Sequence, residues 1–364
     1  IKLGSHPQWL RLFDNNIVLL SMLVAVSFLR LVTLQNREER RDVPRGARAY
    51  RQTMIAVALF GAFINMSAPI LIADRVSKGR KLELFQAKSI VRSFVGGPTW
   101  SPFFAGMAVV LTYVADAHFL IIMTFGLPFA ALGLTLVILE AKWRYPKEVS
   151  KFEGYPMTLS SLFLPSFLLV SVLLGHTFLP QASILTIIAL SALVISSFGL
   201  CFSKGIAGAG RQLQHHIRKE LPKMVNELVL FLAAGVLAIG LQTLVSATNM
   251  SLPFGRGFSA TYATMLLAGM ILISSLGVHA IILIAVATPL ITPINPDPHL
   301  LALTFVFSWS LGACANPLSG FNLVFPGRDN IPRISLAMRT WPYVAVMGLV
   351  ATRFRDAAGV ILGG

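Results

Sequence analysis

Apolar residues fall in long, nearly charge-free runs at 16-34, 119-140, 157-174, 182-202, 223-246 and 334-352. A helix of about 20 such residues crosses roughly 30 Å of hydrocarbon, so each run is expected to span a bilayer. Four further stretches, 52-73, 91-115, 258-294 and 299-326, are apolar but interrupted near the middle by Gly, Pro, Asn, Ser or His. No ten-residue alternating pattern of a barrel appears, which leaves α-helix as the spanning structure. A broken helix is tolerated in lipid only where protein or a water-filled cavity satisfies the freed backbone groups. The four interruptions are therefore expected to face a protein interior.

Comparison of the chain with itself reinforces this pattern. FINMSAPILIA at 63-73 precedes GGPTWSPFF at 96-104 and LPFAALGL at 127-134; SLGVHAIILIAVATP at 275-289 precedes CANPLSGFNL at 314-323 and WPYVAVMGL at 341-349. Each set reads hairpin, broken helix, proline-bearing helix, with Pro98 matched to Pro317. Internal symmetry of this kind is how many transporter folds reveal themselves.

Charge supplies orientation. The chain is 55% hydrophobic and 12% charged with net charge +15, and mean hydropathy is +0.73. Such a composition excludes an ordinary soluble domain. The basic residues lie between apolar runs and not on one folded face, so nucleic acid is not expected as a partner. If 52-73 and 258-294 are re-entrant hairpins from opposite sides, loops 36-51, 74-92, 141-156, 203-223 and 327-333 become interior and hold 23 of the 30 Lys and Arg residues. Exterior loops and termini then carry Lys2, Arg11, Arg256, Arg353 and Arg355, while Arg30 and Arg339 sit near cytoplasmic helix ends. This split obeys the positive-inside rule and sets the two repeats in opposite orientations. The amphipathic run around Arg211, His215, His216, Arg218 and Lys219 is expected to lie on anionic headgroups.

Four segments follow from this: 1-51, an N-terminal helix and cytoplasmic loop; 52-140, the first hairpin, broken helix and following helix; 141-257, scaffold helices and a basic loop; and 258-364, the second hairpin, broken helix and last helix. Residues 1-15 are not a signal peptide, since no apolar stretch follows a basic start. A chain opening on Ile1 is expected to begin earlier in its native form.

Inverted repeats meet at the midplane, where half-helix N-termini attract anions and unwound carbonyls suit Na⁺. The candidate substrate-binding residues are Asn65, Met66 and Ser67; Pro98, Thr99, Trp100 and Ser101; Gly277, Val278 and His279; and Asn316, Pro317, Leu318, Ser319 and Asn322. Carbonyls near Asn65 and Gly277 are the candidate Na⁺ ligands. Each polar side chain has a plainer role open to it, capping a broken turn or bonding a neighbouring helix. His279 fits proton coupling, contact with an anion, or neutral packing. Trp100 fits stacking on a solute or packing, and Arg92 fits drawing anions inward or setting topology. Cys201 and Cys314 read as small packed residues.

Carboxylates fall at loop or helix-end positions apart from Glu227, which disfavours a cation antiporter. No phosphate loop, HExxH or GxSxG triad is present, so the chain is not expected to be an enzyme or to carry a cofactor beyond a coupling Na⁺ or H⁺.

The order hairpin, broken helix, helix, three helices, hairpin, broken helix, helix resembles the ion transporter superfamily of divalent anion/sodium symporters, citrate carriers and arsenite exporters. Its symporters carry Ser-Asn-Thr at each hairpin tip; here the tips read Asn65-Met66-Ser67 and Gly277-Val278-His279. One helix precedes the first hairpin where the family has three. The resemblance implies an all-α elevator-type fold and a homodimer. The expected function is a secondary active transporter in the bacterial cytoplasmic membrane, moving a small anionic or polar organic solute with Na⁺ or H⁺. An exporter of an inorganic oxyanion or arsenite-like solute, a passive channel and a membrane-embedded enzyme are the alternatives.

Overall fold

In the computed structural model, residues 9–33, 44–78, 80–155, 163–248, 258–329 and 331–362 are described. The chain is helical, with no strand among these residues beyond one isolated bridge between Arg45 and Glu153. In chain order the helices are α1 (Trp9–Ser27), α2 (Arg30–Thr33), α3 (Gly46–Ile64), α4 (Ser67–Ser77), α5 (Leu84–Phe94), α6 (Ala105–Tyr113), α7 (Phe119–Arg144) and α8 (Pro146–Ser150). They continue as α9 (Phe163–Phe178), α10 (Ile184–His215), α11 (Val225–Thr248), α12 (Ala260–Ser275), α13 (Ala280–Ile291), α14 (Pro298–Ala315), α15 (Gly320–Asp329) and α16 (Arg333–Leu362). Among the described residues, four stretches are long and apolar enough to cross a membrane: α7, the run Ile184–Thr248, α14 and the Ile334–Gly359 part of α16.

The helices fall into two compact units. One comprises the N-terminal helices with α9, α10 and α11; the other holds α3 to α8 and α12 to α16. In the first unit α1 packs on α10 and α11, and α9 on α10. Helix α1 starts at Trp9 and ends at Ser27, not at 16 and 34, because its last bonds tighten to three-residue spacing at Phe28 and Leu29. Ser27 Oγ lies 2.9 Å from His216 Nε2, and Phe28 packs its ring on that imidazole. His216 is thus buried, not set on a headgroup-facing surface. The basic stretch 203–223 is helical: α10 kinks at Gly205 (φ 69°), runs to His215, and a π-turn and a 3₁₀ turn lead into α11.

The second unit contains the element order hairpin, broken helix, long helix twice over. α3 and α4 pack on each other across Asn65–Met66, and α12 and α13 across Leu276–His279. Pro69 stands in the first turn of α4. With no N–H to give Asn65 O, it stops α3 from running on. The next helix breaks between α5 and α6 around a 3₁₀ turn, Gly97–Thr99. Helix α14 stops at Ala315 because Asn316 precedes a proline and is extended (φ −77°, ψ 116°). α14 is the core of this unit, buried from Leu300 to Gly312 between α12, α16, α6 and α7.

Two boundaries differ from the sequence reading. Pro102, not Pro98, is the structural counterpart of Pro317, because α6 opens three residues after Pro102 and α15 three residues after Pro317. Helix α16 runs on to Leu362, since no proline follows Pro342, so Arg353 and Arg355 are helical and not loop charges. Arg355 is fully buried, donating to Thr264 Oγ1 at 2.7 Å and pairing with Asp356. Lys2, Arg256, the loop residues 36–43 and the start of the 157-174 run lie outside the described residues.

The mouth of the first hairpin is closed by residues 151–155. Gly46 N donates to Phe152 O and Gly154 N to Pro44 O, each at 2.9 Å, and Tyr155 N donates to Thr53 Oγ1 at 2.8 Å. Glu153 pairs with Arg45 at 2.9 Å and with Lys78, clasping the start of α3 and the end of α4. Those partners hold its carboxyl below the usual glutamate range, the bond from Lys78 first.

Candidate functional site

All four interruptions come together in the second unit. Asn65 has a positive φ (48°, ψ −138°), a backbone conformation that residues with side chains rarely adopt. Its Nδ2 donates to Phe103 O at 3.2 Å, tying the first hairpin tip to the first break. Met66 reaches the second break: a Cβ added to Gly320 would lie 2.9 Å from Met66 Cε. At the second tip Gly277 (φ 107°) faces Leu318, and Val278 O accepts from Asn316 Nδ2 at 3.0 Å. Ser310 Oγ donates to Val95 O at 2.5 Å, joining α14 to the end of α5.

The two halves repeat these ties at nearly equal intervals. Asn65–Phe103 and Val278–Asn316 each span 38 residues. Thr99 Oγ1 reaches Gly126 O at 2.9 Å, 27 residues on; Thr340 Oγ1 reaches Cys314 O at 3.0 Å, 26 residues back. Each broken helix is thereby fastened to the long helix that follows it. Helix α7 passes so near the first break that a Cβ on Gly126 would sit 1.7 Å from Thr99 O.

Several polar candidates are occupied in holding the breaks. Thr99 also lies 2.8 Å from Gly96 O, and its single hydroxyl hydrogen serves one carbonyl at a time. Ser101 Oγ donates to Ala62 O and accepts from Phe103 N. Trp100 is buried with its ring edge-on to Phe63, and Pro98 is buried beside Gly106. Asn316 Oδ1 accepts from Leu318 N at 2.7 Å in a local turn. His279 caps α13, its Nδ1 accepting from Ile281 N at 3.3 Å, with its ring edge-on to Trp309.

Others are buried without a partner. Asn65 Oδ1, Ser319 Oγ and Asn322 Oδ1 make no hydrogen bond, and Ser274 Oγ, beside Gly312, makes none. Asn322 Nδ2 is used, donating to Asn316 O at 2.7 Å. An unpaired buried polar atom costs about 1–3 kcal/mol, and four of those found among the described residues lie around the breaks. Ser67 opens α4, Pro317 is half-buried, and Leu318 is 53% exposed. Three residues escape the sequence reading: Gly126, Ser274 and Thr340. Their only signals are Gly126 and Thr340 each standing two residues before the matched prolines Pro128 and Pro342.

Arg92 is occupied in joining helices. It is buried, bonded to Glu140 at 2.6 Å and to Arg339 O at 2.5 Å, with its guanidinium over the Tyr343 ring. It bolts α5 to α7 and α16. No group of three or more His, Cys, Asp or Glu residues among the described residues could hold a metal ion.

These features define an all-helical protein whose broken helices surround unpaired buried polar groups. Its fold is similar to that of the Alcanivorax borkumensis YdaH transporter, a crystal structure with an unusual topology, at a TM-score of 0.59 and 14% identity over 97% of this chain and 87% of that one. No family model matches the chain, and no curated protein matches it.

Proposed function

We propose that the chain is a secondary active transporter that carries a small anionic or polar organic solute through the polar pocket between the four breaks. The observation that carries this reading is the set of buried, unpartnered Asn65 Oδ1, Ser319 Oγ, Asn322 Oδ1 and Ser274 Oγ where the interruptions meet. Helix α6 begins there with no side-chain cap, so its first N–H groups are available to an anionic group of the solute. Asn65 Oδ1 and neighbouring carbonyls at both tips are hard oxygen donors suited to a coupling Na⁺. A proton is the other coupling ion to be tested. The repeated ties are those expected of inverted repeats of the ion transporter superfamily type. One unit holds every break and the other none, as an elevator carrier requires. A homodimer in the bacterial inner membrane completes the proposal.

The test is uptake of labelled carboxylates, amino acids and arsenite into proteoliposomes under imposed Na⁺ or pH gradients. Gradient-driven accumulation supports a carrier; equilibration alone indicates a channel, and no flux with solute conversion indicates an enzyme. Full uptake by both Asn316→Ala and Ser319→Ala would remove the second break from the site.

A further inference from the structure

The basic cluster joining α5, α7 and α16 holds more buried positive charge than its surroundings balance. Lys88 and Arg92 stand four apart on α5 and so share one helix face, and they are 6% and 2% exposed. One carboxylate serves both: Glu140 Oε1 lies 3.4 Å from Lys88 Nζ, and Oε2 lies 2.6 Å from Arg92 Nη1. Arg144 adds a third cation to the same carboxylate at 3.8 Å, though it is 57% exposed. Helices α3 and α5 carry no acid, and Glu140 is the only one on α7. The only acid on α16, Asp356, lies 17 residues beyond Arg339, about 25 Å along the helix, beside Arg355.

The remaining partners are neutral. Lys88 Nζ lies 3.1 Å from Tyr145 OH and 4.2 Å from the centre of its ring, and Arg92 lies over Tyr343. Aromatic faces attract cations but cancel no charge. A buried charge left without a counter-charge is strongly unfavourable, and here the surplus is one before Arg144 is counted. Arg92 Nε is moreover buried with no acceptor, a charge-assisted donor with nothing to receive it.

We propose that this cluster is a binding site for a small monovalent inorganic anion of the chloride type, held by Arg92 Nε and the ammonium of Lys88. One surplus charge calls for a monovalent ion, and the burial of both cations excludes a lipid headgroup. The proposal does not depend on what the region between the breaks carries.

The purified full chain in detergent is unfolded thermally in sodium chloride, bromide or gluconate at equal ionic strength. The expected result is a saturable rise in Tm with chloride or bromide, on the order of 3 °C, and none with gluconate. Lys88→Met, which removes the surplus and keeps the Arg92–Glu140 pair, should show the same Tm in all three. An equal Tm of the unsubstituted protein in chloride and gluconate overturns the proposal, including the case of a neutral Lys88; so does a chloride effect retained in Lys88→Met. If that variant fails to fold, anomalous diffraction from bromide-grown crystals decides: a peak in contact with Arg92 Nε supports the site, and none there refutes it.

Discussion

Asn316 Nδ2 donates to Val278 O at 3.0 Å, holding the second broken helix against the tip of a hairpin 38 residues upstream. The same amide's oxygen closes the local turn on Leu318 N at 2.7 Å, so one side chain fixes both the break and its neighbour. Asn65 makes the corresponding tie in the first half, but from the hairpin side, and its oxygen remains unpaired.

That difference separates the two asparagines. Asn316→Ala removes two hydrogen bonds, and its unfolding free energy should fall by about 1–3 kcal/mol. Asn65→Ala removes one bond and sets alanine at a positive φ, so its stability should also fall, by about 1–2 kcal/mol, and the variant is marked instead by an uptake that falls at least tenfold. Thermal unfolding and proteoliposome flux on the same preparations check both.

The crossing of α7 over the first break tolerates no side chain. A methyl at position 126 would occupy the space of Thr99 O, so Gly126→Ala is expected to lose the folded protein from membranes. Gly240→Ala on α11, where a Cβ meets nothing within 4 Å, should leave yield and Tm unchanged or slightly raised. Size-exclusion profiles of the two variants give the comparison.

His279 tests capping against ring packing. Loss of the Nδ1 cap in His279→Ala should cost about 1 kcal/mol, and His279→Asn, whose amide oxygen caps equally well, should recover it. A destabilisation that Asn does not relieve would show that the ring packing on Trp309, and not the cap, is what the histidine supplies.

The clasp at the hairpin mouth depends on acid. Glu153 has its carboxyl lowered by Lys78, Arg45 and Arg80, so it adds stability above the ordinary glutamate range and loses it as pH falls through the lowered folded value. Amide exchange at Gly46 and Gly154, corrected for intrinsic rates, should therefore accelerate below about pH 4. In Glu153→Gln that step should be missing.

The sequence marks the four interruptions because proline, glycine and asparagine announce where a helix cannot continue: Pro69, Gly277 and Pro317 each stand at a break. It does not decide between Pro98 and Pro102, four residues apart, since a 3₁₀ turn at Gly97–Thr99 ends the first helix early and only the helix boundaries align the halves. Nor does residue type reveal which polar groups are already satisfied. Thr99, Ser101 and Asn65 are equally plausible site residues on the page; folding uses the first two on carbonyls and leaves the Asn65 oxygen open. Arg92 and Arg355 escaped as internal residues because the partners of Arg92 lie 48 and 247 residues away and Arg355 meets Thr264 at a distance of 91.

The central claim, that the breaks enclose a water-reached chamber within apolar helices, is tested most directly at Leu318, the most exposed residue of the second break. A single cysteine placed there, with Cys201 and Cys314 replaced by Ala, is treated with a membrane-impermeant thiol reagent in oriented vesicles. The account predicts labelling from the aqueous phase whose side preference shifts when a Na⁺ or pH gradient is imposed. No labelling from either side, together with full reaction toward a lipid-soluble reagent, would place residue 318 in hydrocarbon and contradict it.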